Sequence, residues 1–159
     1  MQIDMIKWIH ILSATVLFGT GLGIAYFKWA GDRLSNVAAI DQINGLAVKA
    51  DWLFTTPAIL VQVITGVILT NLNGYYWHEP WLLLSMLFFF VAGSCWLPVV
   101  ALQIRMRRLS TQAITQSITL NAQYQLLARR WFWLGVPAFL SLIVVFFLMA
   151  VKPVIPVLF

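Results

Sequence analysis

Two histidines and one methionine are the side chains of this sequence that could bind a haem iron or a copper ion. His10 lies in the apolar stretch WIHILSATVLFGTGLGIAYF, His78 in a short connection, and Met149 near the end of the last apolar stretch. Imidazole suits iron and copper, and methionine is a known axial ligand of haem. No pair of these residues has the spacing of a known metal-binding motif, so the residue types alone indicate this chemistry.

His10 is the main candidate because a histidine costs free energy in a helix that lipid surrounds. At about 100° per residue, Thr15, Gly19 and Gly23 share one face of this helix, where small side chains let another helix approach closely. His10 lies on the other side, where Gly21 leaves room for a planar group. The competing interpretation is that His10 only bonds a neighbouring carbonyl or a water molecule.

Two further side chains are expected to face the interior and to line a haem pocket. Gln62 lies near the middle of the second apolar stretch, and an amide that faces acyl chains is unfavourable. Asp51 and Thr55 share its helix face, while Trp96 and Gln103 share a face of the third stretch. We expect Gln62 and Trp96 to contact the bound group or to hydrogen-bond a propionate or a quinone.

The chain as a whole must be surrounded by lipid. Of its 159 residues, 62% are hydrophobic and 9% are charged, and the mean hydropathy is +0.89. A soluble domain carries roughly 25% charged residues. Four apolar stretches reach the roughly 20 residues that a hydrocarbon core requires. They cover about residues 6–27, 52–72, 81–104 and 131–151.

We therefore predict an all-α fold, a bundle of four transmembrane helices in which residues 1–159 form a single membrane domain. The first stretch exceeds the roughly 7–15 apolar residues of a signal peptide, so we expect it to be a retained helix. The connection 105–130 has no glycine or proline and repeats leucine at helical spacing, which favours a helical hairpin or a short interfacial helix.

The formal charge of +5 is concentrated in two connections, which indicates membrane topology rather than nucleic-acid binding. Of ten cationic residues, only Lys7 and Lys152 lie outside them; the others are Lys28, Arg33, Lys49, Arg105, Arg107, Arg108, Arg129 and Arg130. Cytoplasmic connections carry an excess of lysine and arginine. We therefore expect long helical connections in the cytoplasm and both termini on the periplasmic side of a bacterial inner membrane.

Four ordered segments of the sequence resemble one bacterial family of predicted integral membrane proteins, family 2269 of the domains of unknown function. They are KWIHILSATVLFGTGLG, ADWLFTTPAILVQVITG, WLPVVALQIRM, and GVPAF followed by LMAVKP. The resemblance covers nearly the whole chain. It implies a four-helix membrane topology and no specific activity.

The first helix is also similar to that of HemJ-type protoporphyrinogen oxidases and of the copper-resistance D membrane domain. In those families an early histidine in this helix, followed by small residues, is linked to haem or metal binding. By position only His10 matches that histidine. This resemblance covers about 20 residues and implies haem or metal binding at His10.

The leading hypothesis is a haem b-binding protein that transfers electrons or oxidises a porphyrin, which as an enzyme would be a membrane oxidoreductase. His10 would be an axial or metal ligand, with His78 or Met149 as the second candidate. The alternative is an accessory subunit or homo-oligomer that packs within a larger membrane complex. A third hypothesis is a copper or small-molecule transporter, which the lack of intramembrane carboxylate chains and inverted repeats disfavours.

Overall fold

The computed structural model describes residues 2–154, which form helices and short connections. Its α-helices are α1 (Gln2–Gly31), α2 (Val37–Ala50), α3 (Thr56–Leu72), α4 (Pro80–Thr115) and α5 (Ala122–Val151). A π-helical turn, Asp51–Thr55, joins α2 directly to α3. No strand occurs within residues 2–154. The all-α prediction is therefore confirmed for this part of the chain.

Four helical segments are long and apolar enough to cross a membrane, as predicted. They are α1, α4, α5 and the continuous segment 37–72 that α2, the π-helical turn and α3 form together. The connection 105–130 is a hairpin of the extended ends of α4 and α5, with a short break at 116–121. We call the end of the bundle that holds this break and residues 32–36 the basic end. That this end faces the cytoplasm stays a prediction.

The π-helical turn ends two residues before Pro57, and the proline explains it. Proline has no backbone N–H, and inside an α-helix its ring clashes with the carbonyl four residues earlier, here that of Leu53. A π-helical turn widens the backbone at that place. The Thr56 side chain also donates to the Asp51 carbonyl, at 2.9 Å. The chain can therefore pass from α2 into α3 without ending the helix.

The helices pack as two pairs, with α3 on α1 and α4 along α5. At the basic end α2 packs on α4, and α1 contacts both α2 and α5. An apolar cluster lies at this end; its buried members are Ile40, Val99, Met106, Tyr124, Leu127 and Trp131. Many large apolar side chains are exposed instead, including Leu60, Ile64 and Phe90. Such side chains are as stable in lipid as in a core, so polar contacts and packing must specify how these helices associate.

The small-residue face of α1 is open in the described chain. A Cβ atom added to Gly19 or Gly23 on this face would meet no atom of another element within 4 Å, and the same holds for Gly21 on the His10 side. The Thr15 hydroxyl donates to the carbonyl of Ile11 in its own helix. The predicted close approach of a second helix to this face therefore does not occur within the described chain, because α3 packs on the His10 face instead.

Candidate functional site

His10 lies in a polar cluster between α1 and α3. His10 and Ser13 are three residues apart on α1, and Gln62 and Thr65 are three apart on α3, so each pair shares a helix face. The His10 Nδ1 lies 2.7 Å from Thr65 Oγ1, and its Nε2 lies 2.9 Å from Gln62 Nε2. Ser13 Oγ donates to Gln62 Oε1 at 2.6 Å. We call these four residues the His10 cluster.

The partners of His10 assign its tautomer. The Thr65 hydroxyl donates to the carbonyl of Val61 at 2.6 Å, so it accepts a hydrogen bond from His10 Nδ1–H. The amide nitrogen of Gln62 can only donate, so His10 Nε2 accepts with its lone pair. The imidazole is therefore neutral, with its proton on Nδ1. Both ring nitrogens are occupied by protein partners.

The ring of His10 is half-buried and lies close to the backbone of α3. A Cβ atom added to Gly66 would lie 3.5 Å from His10 Cε1. Ser13 and Thr65 are buried. The cluster therefore connects the two helices through polar contacts at a place where Gly66 presents no side chain.

A second polar cluster lies on the same helical segment, where the π-helical turn begins. Asp51 is 4% exposed, Thr55 3% and Gln103 2%, and the Trp96 indole N–H lies 3.4 Å from Asp51 Oδ1. Thr55, Trp96 and Gln103 surround the Asp51 carboxyl. We call these four residues the Asp51 cluster.

Three oxygen atoms of the Asp51 cluster have no hydrogen-bond partner. They are Asp51 Oδ2, Thr55 Oγ1 and Gln103 Oε1. Among the described residues, one other buried side-chain atom lacks a partner, the indole nitrogen of Trp131. Since buried polar groups in native proteins are nearly always hydrogen-bonded, three such oxygens in one cluster require an explanation.

A buried lysine joins four helices at the basic end. Lys28 Nζ is fully buried and lies 3.1 Å from Asp32 Oδ1 and 2.6 Å from Asn44 Oδ1. The Tyr124 hydroxyl donates to Asp32 at 2.6 Å, and Asn44 Nδ2 donates to Ser110 Oγ at 3.2 Å. The Tyr124 hydroxyl also accepts from Asn44 Nδ2 at 2.9 Å. The charge of Lys28 is therefore paired with that of Asp32, whereas an ionised Asp51 would have no such partner.

A model of the family described as "Predicted integral membrane protein (DUF2269)" matches residues 4–153. The chain belongs to this family. No curated protein and no solved structure matches it. The family match confirms the resemblance of the four sequence segments, and this DUF2269 chain is an integral membrane protein. Haem, copper and the bacterial inner membrane stay predictions, because the family description names none of them.

The other residues predicted with His10 lie in different places in this DUF2269 chain. Gln62 contacts His10 as expected, whereas Trp96 belongs to the Asp51 cluster. His78 is exposed in the connection 73–79 and stacks on the ring of Tyr76, with 5.3 Å between ring centroids. Met149 is 36% exposed on α5. Of these candidates, the structure therefore brings only Gln62 to a ring nitrogen of His10.

No group of three or more histidine, cysteine, aspartate or glutamate side chains within residues 2–154 could hold a metal ion. A groove of about 470 Å³ lies at the basic end, between α4 and α5. Arg105, Arg130 and Trp133 are among its lining residues. The groove therefore lies at the end of the bundle that is remote from His10.

Sequence reasoning missed the burial of Asp51 and of Lys28. The helical period places Asp51 and Thr55 on the face of Gln62, but the π-helical turn interrupts that period, and a position at the end of an apolar stretch gives no sign of burial. Lys28 was interpreted as a topology signal. The spacing of Lys28 and Asp32, four residues apart on one helix face, was the signal that could have indicated a pair.

Proposed function

We propose that this integral membrane protein binds haem b, with His10 as an axial ligand. The observation that supports the proposal is the tautomer of His10, whose Nδ1–H is donated to Thr65 and whose lone pair is on Nε2. Histidine ligands of metals almost always donate their other ring N–H to an oxygen atom, which fixes the ring orientation. Thr65 supplies that oxygen in this protein.

Gln62 must move before His10 can bind iron. One lone pair cannot accept a hydrogen bond from the Gln62 amide and bind iron at the same time. The flexible side chain of Gln62 therefore has to rotate away from Nε2, and its amide is then free to donate to a propionate or a quinone. His78 is exposed in the connection 73–79 and Met149 is partly exposed on α5, outside the α1–α3 pair that holds His10, so we assign no residue of the chain to a second iron ligand.

The role that we propose is electron transfer or porphyrin oxidation within the membrane. A bound haem supplies one-electron chemistry. The contribution of this chain is to hold His10 in one tautomer, to orient the imidazole through Thr65, and to exclude water with the apolar surfaces of α1 and α3.

The optical spectrum of the protein tests the proposal. The full chain is expressed with ample haem, purified in mild detergent and examined for a Soret band. We expect a band that His10→Ala abolishes and that His78→Ala, the matched histidine control, leaves unchanged. Gln62→Leu should strengthen haem binding, because it removes the group that competes for Nε2. A wild-type protein without a Soret band, or a band that survives His10→Ala, would contradict haem binding at His10.

A second candidate function is that of an accessory subunit within a larger membrane complex. The observation that favours it is the open face of α1, where a Cβ atom added to Gly19 or Gly23 would meet no atom of another element within 4 Å. Faces of this kind allow close approach of a helix from a partner. Native mass spectrometry after mild extraction should then show a complex that Gly19→Ile disrupts. Only monomers of the wild-type chain would contradict this function.

A further inference from the structure

The Asp51 cluster holds two buried hydrogen-bond acceptors that lack a donor in the described arrangement. A carboxyl oxygen of Asp51 and the amide oxygen of Gln103 are both buried and both without a partner. A buried acceptor that lacks a partner costs about 1–3 kcal/mol, and a charged one costs more. The described arrangement is therefore unfavourable if Asp51 is ionised.

No cation faces the Asp51 carboxyl from the elements that pack around it. The π-helical turn packs on α1, α2 and α3, and Trp96 and Gln103 bring α4 to it. On α1, Lys28 is bonded to Asp32 and Asn44. On α2, Lys49 is exposed and lines a groove on the far side of that helix.

The remaining charged groups of these elements also face elsewhere. Asp4 and Lys7 of α1 and Arg107 and Arg108 of α4 are exposed. Asp41 of α2 accepts from Ser110 and Thr111 of α4. Arg105 of α4 is exposed and lines the groove beside Arg130. Taking an unpaired carboxylate out of water costs several kcal/mol, so a neutral carboxyl is the favourable form here.

We propose that Asp51 is a proton-binding site. The proton resides on Oδ2 and is donated to Gln103 Oε1, so that one O–H bond gives both unpartnered oxygens a partner. The indole N–H of Trp96 approaches Oδ1 and leaves Oδ2 as the protonated oxygen. The Thr55 hydroxyl, which also lacks a partner, is then free to donate to the same carboxyl. The ligand is a proton taken from water.

Release of this proton changes the cluster in a defined way. The O–H bond of the carboxyl breaks, the proton passes to water, and Asp51 Oδ2 and Gln103 Oε1 are again without a partner. Gln103 can restore a hydrogen bond only by turning its amide so that Nε2–H donates to the carboxylate. The orientation of the Gln103 amide on α4 therefore depends on whether Asp51 is protonated. The π-helical turn places this exchange where α2 continues into α3, and π-helical turns are frequent at functional sites.

This site is independent of haem binding. Asp51 lies eleven residues before Gln62, a distance of about 16 Å along the helix at 1.5 Å per residue. Loss of the Soret band and loss of the proton site are therefore separate results, and either proposal can fail alone.

Infrared spectroscopy of the full chain in lipid nanodiscs at neutral pH tests the proposal. We expect the C=O band of a protonated carboxyl in the wild type, which Asp51→Asn removes and Asp41→Asn, the matched control, leaves unchanged. Gln103→Leu should shift this band to higher frequency, because the O–H loses its acceptor while the proton stays on Asp51. A merely structural role of Gln103 would not move the band.

Three results would overturn the proposal. The first is a wild-type spectrum without a protonated-carboxyl band, which is the result expected if Gln103 donates to an ionised Asp51. The second is a band that Asp51→Asn or Gln103→Leu leaves in place and unshifted. The third is an ionised Asp51 that binds sodium, detected as sodium binding lost in Asp51→Asn. If Asp51→Asn does not fold, the shift in Gln103→Leu decides alone.

Discussion

The His10 cluster and the Asp51 cluster lie about three helical turns apart along the segment 37–72, and their polar atoms are satisfied differently. Both ring nitrogens of His10 have protein partners, and the Ser13 hydroxyl completes the cluster. In the Asp51 cluster three buried oxygens have none. A ligand of His10 must therefore displace a protein group, whereas a proton on Asp51 displaces nothing and adds a hydrogen bond.

An apolar layer separates the two clusters. Ala58 lies between Thr55 and Gln62 on α3 and is buried. On α1, buried Leu17 follows Ser13 by one turn. The clusters can therefore respond to different ligands without a shared polar path. Single substitutions in the two clusters, and one at the Lys28–Asp32 ion pair for reference, test whether the free energy of unfolding depends on them differently.

The largest loss in the free energy of unfolding is expected for Asp32→Asn. This variant shows what the loss of an ionised carboxylate costs. Asp32 is the ion-pair partner of the fully buried Lys28. Removing one partner of a buried pair leaves an uncompensated charge and costs about 3–5 kcal/mol. The measurement is the free energy of unfolding in detergent at neutral pH. A loss below about 1 kcal/mol would show that the Lys28 charge does not depend on Asp32.

A smaller effect is expected for Gln62→Leu, which opens the His10 cluster. The substitution leaves His10 Nε2 without its partner, so we expect a loss of about 1–3 kcal/mol in the free energy of unfolding. Thr15→Val is the control, because Thr15 is exposed and bonds only within its own helix. Equal stabilities for the two variants would argue against a closed His10 cluster.

The smallest effect is expected for Asp51→Asn, the same substitution as at Asp32. A neutral amide replaces a neutral carboxyl, and its N–H can donate to Gln103 Oε1 as the carboxyl O–H does. The free energy of unfolding at neutral pH should therefore change by less than about 1 kcal/mol, within the range of a replaced hydrogen bond. A loss as large as that of Asp32→Asn would mean that Asp51 is ionised in the folded protein.

The sequence predicts the spans well because their length and apolar composition are local properties. All four apolar stretches lie within membrane-length helices, and the helical hairpin at 105–130 follows from its lack of glycine and proline. The inward orientation of Gln62 could also be predicted, because an amide that faces acyl chains finds no hydrogen-bond partner there. The face that the helical period assigns to Gln62 and Asp51 together could not be predicted as reliably, because the π-helical turn interrupts that period.

The polar clusters could be predicted only in part, because their partners come from distant segments. The sequence indicated that Gly21 gives His10 room, whereas the ring lies against Gly66 of α3. Lys28 is buried because Asn44 and Tyr124, remote in sequence, converge on it and on Asp32. Pro57 was visible in the sequence, but the widened turn that it causes and the burial of Asp51 depend on how α2, α3 and α4 pack.

Nitrogen NMR of histidine side chains tests the central claim of this comparison most directly. The chain has two histidines, so exposed His78 serves as an internal control for His10. With ¹⁵N-labelled histidine and no haem, His10 should show a protonated Nδ1 and an unprotonated Nε2, while His78 should show averaging of its tautomers. Added haem should then perturb the His10 signals and leave those of His78 unchanged. A His10 ring that averages its tautomers as His78 does, or that ignores haem, would contradict the account.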